Sequence, residues 1–105
     1  MGGFRKKIKK MLSYVIIDIY YIMDNVIIFN RSAFKHGVSE ASIRHALSYP
    51  RYEGPLEDDE DKYIVLGFDA AGNLLEILYN RMDDDKVNIF HAMKCRNIYY
   101  PLLNI

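Results

Sequence analysis

Residues 62–69 read KYIVLGFD and residues 73–80 read NLLEILYN, joined by Asp69-Ala70-Ala71-Gly72. Both runs are dense in Ile, Val, Leu, Phe and Tyr, side chains that suit a pleated, buried surface. Between them, Asp69 can bond its own downstream backbone, and Gly72 can take a positive φ without steric cost. A strand, a tight turn and a second strand are the expected result, and this hairpin anchors the reading of the fold.

Toward the N-terminus, residues 52–56 suit an edge strand, because Gly54 and Pro55 fit a central one poorly. Tyr49-Pro50 ends a helix, since the residue before a proline is driven out of helical geometry. That helix begins at Ser39, an N-cap with Glu40 in the positive first turn. Ile43, Ala46 and Leu47 give its buried face, and Val38 has the staple spacing to Ile43. Ser32 is expected to cap a shorter helix through Ala33, Phe34, Lys35 and His36, closed by Gly37. Before it, Val26–Phe29 has strand composition. Toward the C-terminus, an acidic loop at 83–85 leads to residues 87–92 (VNIFHA), expected as a central strand. The tail begins with one helical turn that Pro101 stops. The expected fold class is α+β: two short N-terminal helices followed by an antiparallel sheet of three to four strands.

The length of 105 residues favours one domain, and half of them are hydrophobic, enough for a packed core. That length excludes a barrel of eight βα units and a full dinucleotide-binding fold. The single cysteine, Cys95, cannot form an internal disulfide, which suits a reducing, cytoplasmic compartment. Fourteen basic residues balance fourteen acidic ones. The balance hides a segregated field. Arg5, Lys6, Lys7, Lys9 and Lys10 crowd the head, which leaves nine bases against fourteen acids in residues 11–105. Most of those acids lie at 57–61 and 83–85, runs that repel phosphate locally. RNA can be met only by a local basic surface drawn from Lys35, Arg44, Lys94 and Arg96.

Residues 1–22 form a basic and then apolar extension, and the compact α+β domain is expected to span residues 23–105. The extension has the outline of a signal or anchor, but Asp18 cuts the apolar run well below the roughly 20 residues a spanning helix needs. No small-residue cleavage pattern follows it. A membrane role therefore stands behind two other readings: a strand or poorly packed extension, favoured by the β-branched and aromatic residues, and an addition from an upstream start codon ahead of Met23.

No His, Cys, Asp and Glu spacing suggests a metal site, and no phosphate loop, dinucleotide fingerprint or nucleophile elbow is present. Cys95 lies between Lys94 and Arg96, which would lower a thiol pKa, but a lone cysteine is more often a small core residue. The distinctive pieces are Lys35-His36-Gly37-Val38-Ser39 and His91-Ala92-Met93-Lys94-Cys95-Arg96. Histidine with Lys or Arg is what RNA cleavage without a metal requires. A base takes the 2′-hydroxyl proton, cations stabilise the phosphorane, and an acid protonates the departing 5′-oxygen. In a continuous strand, His91 and Met93 share one face while Lys94 and Arg96 share the other; a break at Ala92–Met93 would bring them together. Each histidine also has a structural reading: His36 as a helix-end donor, His45 as a surface residue, and His91 as a hydrogen-bonded core-edge ring.

Lys35-His36-Gly37-Val38-Ser39, a short helix, a hairpin with Gly72 before Leu74-Leu75-Glu76, and a last strand ending in His91-Ala92 together resemble the BrnT-type toxins. These are small ribonucleases of bacterial type II toxin–antitoxin systems with a RelE-like fold. The resemblance spans residues 26–103, and the family's closing Ser-Ala-Arg is represented here by His91-Ala92-Met93. It implies a cytoplasmic endoribonuclease that uses no metal and no cofactor. Its partners would be a small antitoxin protein and an RNA substrate, met free or on the ribosome, with no DNA bound by the chain alone. By that resemblance Lys35, His36 and His91 are the catalytic candidates, and Lys94 and Arg96 are additional phosphate contacts. The rival reading is a protein-binding module of the same fold, in which the basic strand end recognises an acidic segment and the histidines are structural.

Overall fold

One mixed sheet organises the computed structural model, which describes residues 26–56, 59–83 and 85–104. Its strands are β1 (Val26–Phe29), β2 (Pro50–Leu56), β3 (Asp59–Phe68), β4 (Leu74–Asp83) and β5 (Lys86–Lys94). Their spatial order is β1-β5-β4-β3-β2. Strands β2 to β5 pair antiparallel with their sequence neighbours, and β1 lies parallel to β5. A 3-10 turn, Arg31–Phe34, and helix α1, Glu40–Ser48, connect β1 to β2, and a second 3-10 helix, Asn97–Leu103, follows β5.

The expected arrangement of two N-terminal helices and three to four antiparallel strands is therefore corrected. The run Val26–Phe29, of strand composition, joins the sheet itself, so the sheet has five strands rather than three to four, and its pairing with β5 is parallel. Only one of the two expected helices is α-helical, and it lies in mid-chain. The reason is range. β1 finds its partner near the other end of the chain, through a crossover that no local pattern announces. The sequence extension 1–22, with its alternative readings, lies outside the described residues.

Local chemistry explains the connections. Asp69 accepts from the backbone N–H of Ala71 (3.0 Å) and Asn73 (2.8 Å) and from the Asn73 side chain (3.1 Å), while Gly72 stands at φ +86°. The β3–β4 turn is thus built as its sequence indicates. Ser39 caps α1 through a bond from the Ser42 N–H at 3.1 Å. Ser32 is not the cap of the 3-10 turn; Asn30 is, accepting from the Ser32 N–H at 3.0 Å. Pro101 also lies inside the last 3-10 helix rather than ending it. A 3-10 helix that short tolerates a missing N–H where a longer α-helix would not.

Both faces of the sheet are covered, which accounts for the unbroken burial of Ile64-Val65-Leu66 in β3. On one face, Ile43, Ala46 and Leu47 of α1 and Ala33 of the 3-10 turn meet Val65, Leu75, Ile77, Tyr79, Val87, Ile89 and Ala92. On the other, Tyr99, Leu102 and Leu103 pack on Ile64, Leu66 and Cys95. Helix and sheet approach closely at Gly67, where a Cβ would collide with the Ala46 carbonyl oxygen. Among the described residues no helix is long and apolar enough to cross a membrane.

Candidate functional site

A bulge in β5 sets the geometry. Leu78 faces His91 and Tyr79 faces Ile89, so Phe90 has no partner on β4. Its carbonyl accepts instead from Ser32 Oγ at 2.6 Å. This bond fastens the 3-10 turn to the strand one residue before His91. The chain leaving that turn carries Lys35 and His36 past the strand, and Gly37 at φ +81° redirects it toward α1. His36 and His91 meet edge to face, with ring centroids 5.4 Å apart and planes at 69°.

Behind His91 lies a carboxylate. Glu76 of β4 is fully buried, and its Oε2 lies 2.8 Å from His91 Nε2. The same carboxylate takes the Arg96 guanidinium from two nitrogens, Nη2 at 2.6 Å and Nε at 3.0 Å to Oε1, and also the Arg96 backbone N–H at 2.9 Å. Burial pushes the Glu76 carboxyl up, but the hydrogen bonds from Arg96 and His91 outweigh it and hold the group below its ordinary value. The paired Arg96 is itself raised, chiefly by its bond to Glu76, and stays charged.

The sequence-predicted residues divide accordingly. The structure brings His36 against His91 and connects Arg96 to His91 through Glu76. Lys35 is exposed and precedes His36 in the same turn. Lys94 does not join them: β5 runs unbroken from His91 to Lys94, and the irregularity falls at Phe90 rather than at Ala92–Met93. Alternation puts Lys94, paired with Leu75, on the side of Ala92 and α1, opposite His91 and Met93. Arg44 lies on α1, bonded to Glu40 at 2.8 Å, with its guanidinium 5.1 Å from the centre of the Phe29 ring. Phe29 stacks in turn on Phe34, two residues before His36. His45 stands apart, with Nδ1 2.9 Å from the Phe68 carbonyl oxygen. Cys95 is buried, and burial together with the nearby Glu76 raises its thiol, contrary to the lowering its basic neighbours suggest. Among the described residues no three His, Cys, Asp or Glu side chains are grouped to hold a metal ion.

Glu76 is the participant that sequence reasoning missed as a site residue. Its signal was present: in NLLEILYN, strand alternation puts Glu76 on the face of Leu74 and Leu78, an acid in a row of leucines. A buried acid in such a row requires charged or hydrogen-bonding partners.

No protein-family model and no curated protein matches the chain. The structure is similar to the 1.1 Å crystal structure of the Brucella abortus ribonuclease toxin BrnT, with a TM-score of 0.48 and 13% sequence identity. The match covers 68% of this chain and 96% of that one.

Proposed function

We propose that this chain is the toxin of a toxin–antitoxin pair and cuts RNA by attack of a ribose 2′-hydroxyl on the adjacent phosphate. The apposition of His36 and His91 at 5.4 Å is the observation that carries this reading. Two imidazoles within one substrate's reach can act as base and acid at neutral pH. One takes the 2′-hydroxyl proton as the 2′-oxygen bonds to phosphorus. The other gives a proton to the 5′-oxygen as its bond to phosphorus breaks, leaving a 2′,3′-cyclic phosphate and a 5′-hydroxyl end. Arg96 is half-exposed with its guanidinium over the Tyr99 ring, and among the described residues its Nη1 has no hydrogen-bond partner, so it can meet a phosphate oxygen while Glu76 holds the other nitrogens. Lys35 adds charge beside His36, and Arg44 and Lys94 are more distant phosphate contacts on the same reading. The work of the antitoxin is to cover this edge.

One observation favours the rival reading, a protein-binding module without catalysis: Glu76 already satisfies both His91 and Arg96, as a purely structural network would. Cleavage of a single-stranded RNA by the purified full chain, in the presence of a chelator, separates the two. The expected products carry cyclic phosphate ends and disappear in His36→Ala and His91→Ala. Absence of cleavage, together with growth inhibition unchanged by His91→Ala, refutes the nuclease.

A further inference from the structure

We infer that Glu76 is a positioning residue that holds the His91 ring with a proton on Nε2, so that Nδ1 is the nitrogen that exchanges protons with substrate. The inference rests on the nuclease reading above and deepens it by assigning the reacting atom. An ionised carboxylate only accepts hydrogen bonds. The Glu76 carboxylate already receives the guanidinium and backbone N–H of Arg96, two groups that keep it ionised although it is fully buried. The His91 nitrogen that faces it at 2.8 Å must therefore be a donor. In a neutral imidazole the lone pair is then left on Nδ1. His91 retains 19% side-chain exposure, which leaves the ring open to a proton-donating hydroxyl of the substrate, and His36 lies beside it.

The arrangement also resolves a difficulty of charge. A bare carboxylate next to a scissile phosphate would repel it, but here Arg96 neutralises Glu76 at the point where it holds His91. Glu76 can thus orient the imidazole without opposing an anionic substrate.

Two measurements on the full chain test this. In nitrogen-15 spectra of the wild-type protein with neutral histidines, His91 should show a proton on Nε2, protected from solvent exchange, and an unprotonated Nδ1. A proton on His91 Nδ1 overturns the assignment, with no variant needed. In kinetics on an oligoribonucleotide, Glu76→Gln should lower kcat about 10- to 100-fold with little change in KM. Adding Glu76→Gln to His91→Ala should then cost nothing more, because the carboxylate acts through the imidazole. Additive losses, or a loss confined to KM, overturn the positioning role and leave the nuclease reading standing. A wild-type protein that cleaves no RNA overturns the nuclease reading and the kinetic half of this inference, while the nitrogen spectra still decide the orientation of the ring.

Discussion

Ser32 Oγ donates to the carbonyl of Phe90 at 2.6 Å, across 58 residues of sequence. The bulge leaves that carbonyl without a β4 partner, and the hydroxyl that satisfies it also tethers the turn bearing His36. Ser32→Ala should destabilise the fold by about 1 kcal/mol, the usual net worth of one hydrogen bond, in urea unfolding. On the nuclease reading it should also reduce cleavage, because the tether sets the approach of His36 to His91.

The close approach of helix to sheet at Gly67 gives a second expectation. Gly67→Ala puts a methyl group against the Ala46 carbonyl, which is backbone and cannot swing aside. The variant should lose about 1–3 kcal/mol, the range for overpacked cores, in urea or thermal unfolding. Gly37→Ala meets no atom within 4 Å, so its cost should come from the positive φ alone.

Arg96→Ala removes the main partner of a fully buried carboxylate. Arg96 is half-exposed, so solvent entering its place offsets part of the loss; the expected destabilisation is about 1–3 kcal/mol in denaturant titration. Arg96→Ala combined with Glu76→Gln should recover some stability relative to Arg96→Ala alone, because no unpaired charge is then left buried.

The Glu76 carboxyl sits below its ordinary value of 4.5 in the folded protein. A depressed acid contributes stability that is full above its unfolded pKa and is lost as pH falls through the folded one. Unfolding free energy should therefore decline below about pH 4.5, and more steeply in wild type than in Glu76→Gln. Asp69, lowered chiefly by its bonds from Asn73, titrates in the same window and leaves a residual slope in both proteins.

The β3–β4 hairpin and the Ser39-capped helix were legible because everything that forms them is local. Asp69 with Gly72, and Ser39 with Ile43, Ala46 and Leu47, lie within a few residues of what they bind. What sequence reading lost was long in range. Neither the parallel pairing of β1 with β5 nor the use of Ser32 on Phe90 leaves a mark near those residues. The site was half visible. The sequence marks His36, His91 and Arg96; His36 lies against His91 and Arg96 connects to His91 only through Glu76, while the bulge that places His91 leaves no local mark. Of the two courses open to β5 in the sequence, continuous or broken at Ala92–Met93, the strand takes the continuous one, which puts Lys94 on the other face from His91.

The parallel pairing of β1 with β5 orders events during synthesis. A ribosome makes β1 and the His36 turn early, and neither can find its partner until β5 has left the exit tunnel. Until then the sheet edge stays open and the two histidines stay apart. On the nuclease reading, a chain that has not yet added β5 has no assembled histidine pair.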